Sequence, residues 1–311
     1  MLSRVADSMF WMSRYMERTD GILRMLRINY AYSQDDRQGF NWNPVLRIFS
    51  YLEDKDIDKI KDHTRQVLHH MVLDRENANS VFNIVSKARE NARAVQDHIP
   101  KELWQCLNDF YHLVRNDRLS SQLKQEDPVS VLDGLIRQGL LFYGTTEITM
   151  ARGEGFNFMN IGKYLERALQ TADILDVKFS DLSYDLDKTP DTTYWKYLLL
   201  SISGYSLYLK TYRSGFEARN VIDQVVFNTQ FPRSILYSLD RLHRYFERLK
   251  GHSNPADHSK ISFMIGKLNS NVKFSNVEMI SNMGLHEFLT QAKKDLLTIS
   301  KELNRYFFAN T

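Results

Sequence analysis

A single cysteine, Cys106, stands in a chain of 311 residues. That excludes an intramolecular disulfide and any cysteine-built zinc site, and a lone thiol suits a reducing compartment. It follows Leu103 and Trp104 in an amphipathic stretch, the context of a small core hydrophobe rather than a nucleophile. Proline (6) and glycine (13) are scarce, which argues against a fold of many strands and tight turns and favours long helices. Charge of one sign is not in excess: 41 basic against 38 acidic residues leave +3. The two signs are interspersed, without the basic stripe that a nucleic-acid surface needs. Long hydrophobic runs are missing too. The most apolar segment, Tyr194 to Leu209, carries Lys196 and is too short to span a bilayer. Arg4, Asp7, Arg14 and Glu17 interrupt any signal-peptide core. These absences predict a soluble, cytoplasmic protein that binds neither membrane nor nucleic acid.

Catalytic and metal signatures are equally sparse. His63, His69 and His70 offer no i,i+4 pair of histidines with a nearby carboxylate on the same face, and His-Glu-x-x-His does not occur. Glu17 and Glu166 are followed three residues later by Asp20 and Leu169, not by the histidine of a di-iron bundle. There is no phosphate-binding P-loop, dinucleotide fingerprint or Gly-x-Ser-x-Gly elbow. No metal or cofactor is expected.

What is present is a period of 3.6. Val5, Met9, Met12, Met16 and Leu23 fall on one narrow stripe of an opening helix that ends near Ser33. Residues 34–43 read as a loop before a helix that begins at Pro44. Further helices are predicted near 44–53, 57–73, from Asn77 or Ser80 to His98, from Pro100, and from Asp127-Pro128 to Met150. Polar residues 116–127 read as a loop. Beyond Arg152-Gly-Glu-Gly155 come helices near 156–177, 193–213, 217–228, 233–250, 257–269 and 276–307. Val225-Val226-Phe227 comes nearest to a strand, in a helical context. The fold expected is all-α, a multi-helix bundle. It reads as a single domain over 1–311, or as two halves, 1–180 and 190–311, parted by the polar stretch around Pro190.

Within this pattern a motif repeats. Ser13-Arg-Tyr-Met-Glu-Arg18 aligns without gaps on Gly162-Lys-Tyr-Leu-Glu-Arg167, and Leu26 and Leu175 each lie nine residues past the glutamate. Arg244-Tyr-Phe-Glu-Arg248 is a third, weaker echo. In both main copies the arginine points nearly opposite the apolar stripe, with the glutamate on its flank. Trp11, Tyr15 and Ile22 share that second side in the first copy. Three readings stay open: exposed i,i+3 and i,i+4 ion pairs, a buried structural network, or a ligand site. Arginine suits bidentate recognition of carboxylate or phosphate. Arg14, Arg18, Arg89, Arg93, Arg152, Arg167 and Arg233 all sit in motif-like contexts, Arg233 at a predicted helix N-terminus that already favours an anion.

The opening Met1-Leu-Ser-Arg-Val-Ala-Asp-Ser-Met-Phe-Trp-Met-Ser-Arg-Tyr-Met-Glu-Arg18 resembles the N-terminus of the bacterial alpha-E domain family. Ala88-Arg-Glu-Asn-Ala-Arg93, Glu102 to Asn108, Phe158 through Arg167 and Phe231-Pro-Arg-Ser234 extend the resemblance to about residue 240. Lys163 departs from Arg14, and Val72 to Asn79 lacks the Asn-Pro associated with the family there. The resemblance implies a helical fold. It implies motif positions at Arg14, Tyr15, Glu17, Arg18, Glu166 and Arg167, and work beside a circularly permuted ATP-grasp ligase. Genes for transglutaminase-like or proteasome-like peptidases often accompany such families. The expectation is a non-catalytic partner of an ATP-grasp-type amide or peptide ligase, providing a docking surface or an arginine-lined cleft for an anion or peptide. The alternatives are an enzyme acting on a peptide or amide with Glu17 or Glu166 as acid or base, and a purely structural homo-oligomer.

Overall fold

The computed structural model describes residues 2–35, 40–125, 128–188, 190–213, 215–249 and 255–308. Among them every regular element is helical, as the 3.6-residue period requires, and no strand occurs. By contact the chain divides into two compact units, residues 11–151 and residues 1–10 with 152–311. The polar stretch 178–193 lies inside the second of these.

In the unit 11–151, α1 (Ser3–Asp35) supplies its length beyond Phe10. Met12, Met16 and Leu23 are wholly buried, so the methionine stripe is core. α2 (Asn43–Phe49) starts with Pro44 in its first turn; residues 36–39 of the preceding loop lie outside the described residues. The helix expected at 57–73 is two, α3 (Asp54–Ile60) and α4 (Thr64–Val72), with a turn between. α5 (Val81–Ala94) is capped by Ser80, whose side chain accepts from the Asn83 amide. α6 (Lys101–Arg115) buries Leu103, Leu107, Phe110 and Val114 on one face, each side chain contributing about 1.5–3 kcal/mol. Cys106 joins that face, and burial, helped by Asp109, pushes its thiol up to about 11.

One expectation fails here. Residues 116–127 are not a loop throughout: α7 (Asp117–Gln125) forms because Leu119 and Leu123, one turn apart, are both buried. Two leucines in a polar segment are too few to set a period, yet enough to anchor nine residues. α8 (Pro128–Thr149) closes the unit.

In the other unit α9 (Glu154–Ser180) is buried along most of its length. It pairs most extensively with α13 (Ile235–Glu247) and also packs on α16 (Leu285–Leu303). Between α9 and α13 lie α10 (Thr192–Ser201), α11 (Tyr205–Thr211) and α12 (Ala218–Ile222). The Val225-Val226-Phe227 stretch continues α12 as a π-type turn, not a strand. α10 and α11 separate at Ser203, whose φ is +58°. Gly204 follows it, and a Cβ there would meet Gln224 Nε2 at 2.8 Å and Phe231 Cζ at 2.9 Å. α14 (Pro255–Lys273) packs on α13, and α15 (Val277–Met283) meets α16 at Gly284, whose φ of +99° ends the helix.

Candidate functional site

The first motif copy sits in the unit 11–151. Glu17 is completely buried, Arg14 is 5% exposed, and Tyr15 and Arg18 are half-buried. The Tyr143 hydroxyl of α8 donates to Glu17 Oε2 at 2.6 Å. One turn on, Arg24 donates to buried Asp20 at 2.8 Å. Burial alone would lower the Arg24 pKa, but Asp20, then Glu17 and Tyr143, raise it. A charged carboxylate is tolerated in such a place only with partners of this kind. Arg18 turns outward from the stripe and donates to Asn79 Oδ1 at 3.2 Å, while the Asn79 amide donates to the Phe49 carbonyl. Arg14 lies over the Trp11 ring at 4.6 Å, and Trp11 contacts Tyr15.

The second copy, on α9, repeats the separation of acid from base. Glu166 is 2% exposed and accepts from Gln170. Arg167 covers the Tyr164 ring at 5.2 Å and donates to the Pro232 carbonyl at 3.1 Å. One turn further, the Thr171 hydroxyl donates to the Arg233 carbonyl at 2.9 Å. The Phe-Pro-Arg-Ser stretch is therefore a clamp on α9. Phe231 is buried, two carbonyls accept from α9, and Ser234 caps α13 by accepting from the Tyr237 amide. Neither glutamate is the exposed ion-pair member that the helical wheel allows. Both are core residues.

The third echo, Arg244-Tyr-Phe-Glu-Arg248 at the C-terminal end of α13, is structurally the partner of the second. Tyr245 stacks on Tyr164 with centroids 6.0 Å apart and planes 11° from parallel. Arg248 covers Tyr245 at 5.2 Å, as Arg167 covers Tyr164. Its glutamate differs: Glu247 accepts from Ser262 of α14.

A family model described as a predicted alpha-helical domain with a conserved ER motif matches residues 1–308. The chain belongs to the Alpha-E family. It is also similar to uncharacterised proteins of Mycobacterium bovis and Mycobacterium tuberculosis. Each is 23% identical over 299 residues, covering 90% of this chain and 33% of the relative. The Alpha-E chain thus spans about a third of the length of the curated relatives it matches. No solved structure matches it.

The remaining predicted residues of the Alpha-E chain divide. Arg233 is carried to the second motif by the clamp, and Arg152 lies over Phe156, whose ring meets Tyr245. Arg89 is held between α5 and α6, donating to Asn108 at 2.8 Å and lying over Trp104 and Tyr111. Arg93 is a surface residue 3.8 Å from Glu90. The contacts of Arg89 and Arg93 do not lead to Arg18. Sequence reasoning misses Tyr143, Asn79 and Tyr237. Only Asn79 has a local signal, in the Asn-x-Asn-Ser run before α5. Away from the motifs, Asp176 of α9 accepts from Tyr184, His286 and Lys293 at 2.8–2.9 Å. Among the described residues no group of His, Cys, Asp and Glu is placed to hold a metal, and no helix is long and apolar enough to cross a membrane.

Proposed function

We propose that the Alpha-E chain is a non-catalytic, cytoplasmic partner of an ATP-grasp-type amide or peptide ligase. In this reading it contributes a docking surface or an arginine-lined cleft for an anionic peptide. The supporting observation is the split within each main motif copy: the carboxylates of Glu17 and Glu166 are buried, while Arg18 and Arg167 reach toward the surface. A general acid or base must come within hydrogen-bond reach of substrate, so this burial weighs against Glu17 or Glu166 in that role. The Arg167 guanidinium, laid over the Tyr164 ring, is suited to recognition. The share of the relatives that this chain covers is consistent with a domain that works beside other segments.

Co-expression with a circularly permuted ATP-grasp ligase, followed by size-exclusion chromatography and a ligase turnover assay, tests the proposal. Co-elution with altered turnover is expected. Separate elution with unchanged turnover overturns it.

A further inference from the structure

Both acids of α13 have partners. Asp240 accepts from Asn269 of α14 at 2.7 Å, and Glu247 accepts from Ser262 of the same helix. Glu247 also lies 3.7 Å from His243 of its own helix. The two acids of α13 thus each accept a hydrogen bond from α14. Arg241 and Arg248, in contrast, lie over Tyr237 and Tyr245 at 4.9 and 5.2 Å, and these rings face Tyr164 of α9. Burial would lower the Arg241 pKa, but the phenolic oxygens of Tyr237, Tyr164 and Tyr245 raise it. Among the described residues neither arginine is paired with a carboxylate. Lys163 and Arg167 of α9 add their charge over Tyr164, and Arg152, just before α9, does so over Phe156.

We infer that the tyrosine-arginine seam of α9 and α13 is a binding site for an acidic peptide segment, with Arg241 and Arg248 as its principal carboxylate contacts. Three features carry this. The cations are mounted on rigid rings, so little side-chain entropy is lost when they engage an anion. Guanidinium forks match carboxylates. The ring faces are covered by cations or by one another, which leaves no open platform of the kind on which nucleobases stack. The inference rests on the proposed function only in choosing a peptide as the anion, and its test needs no ligase.

The test is fluorescence anisotropy of labelled hexaglutamate with the full chain. Saturable binding is expected, weakening as salt rises from about 50 to about 300 mM. The double variant Arg241→Glu/Arg248→Glu should lose at least about tenfold in affinity. The charge-matched variant Arg65→Glu/Arg118→Glu, on exposed residues of the other unit, should bind as the parent does, and circular dichroism should show all three equally helical. Tyr237→Phe, which keeps the ring and removes the hydroxyl, should weaken binding without abolishing it. Absence of hexaglutamate binding, equal losses in both double variants, or tighter binding of an oligothymidylate of the same charge would each overturn the site. If hexaglutamate binds at the seam but the ligase does not associate, the site stands and the partnership falls. If the ligase associates but hexaglutamate does not bind, the partnership stands and the site falls.

Discussion

Glu17 holds its place through a phenol supplied from 126 residues away. A hydrogen bond from a hydroxyl to a buried carboxylate is worth about 1.5–3 kcal/mol, because its loss leaves charge unsatisfied in a medium that cannot solvate it. Tyr143→Phe should therefore destabilise the chain by that order, read as a lower urea midpoint with an unchanged m-value. A wild-type midpoint would mean that other partners suffice for Glu17. The same distance explains why this residue is not legible in the sequence. The helical wheel places Glu17 on the flank of the apolar stripe, and the wheel of one helix says nothing about what a second helix lays over that flank. Arg18 and Arg167 do lie opposite the stripe as the wheel requires, since that depends only on angle. Tyr245 gives a weak signal for a related reason. Its flanking residues do not follow the first two copies, yet its ring stacks on Tyr164.

Helices with several apolar residues per turn, such as α5, α6 and α9, can be read directly, because each buried side chain adds to one periodic signal. Where the signal thins, the reading breaks down. α7 rests on two leucines, and the run expected from 276 to 307 is interrupted at Gly284, whose positive φ no periodicity reveals. Long-range ties between elements are also invisible to periodicity. Asp176 fastens α9 to the turn at Tyr184 and to α16 through His286 and Lys293. Burial by itself would raise its pKa, but the hydrogen bonds from His286, Lys293 and Tyr184 hold it below the ordinary 3.8. A carboxylate lowered in the folded state contributes stability above its unfolded value and loses it as pH falls through the folded one. Asp176→Asn should thus cost about 1 kcal/mol at neutral pH. The gap from wild type should stay constant down to about pH 4 and close below it. Denaturant melts of both proteins across that range provide the check. A gap independent of pH to the acid limit would show that the contribution is not one of charge.

Each of the two compact units carries one main copy of the motif, the first on α1 and the second on α9. Ala151, Arg152 and Gly153 are exposed where one unit gives way to the other. Brief digestion with trypsin should cut early after Arg152, giving an intact-mass product of residues 1–152. A first cut inside α8 or α9 would contradict a division at that point. The Phe-Pro-Arg-Ser clamp has a further consequence. Gly204 touches Phe231, the next residue is the carbonyl that receives Arg167, and no space remains for even a methyl group between them. An alanine at 204 would press on the ring, and the ring on the acceptor. A mutational survey would then score this silent, uncharged position among the residues of the second motif, although it touches none of them.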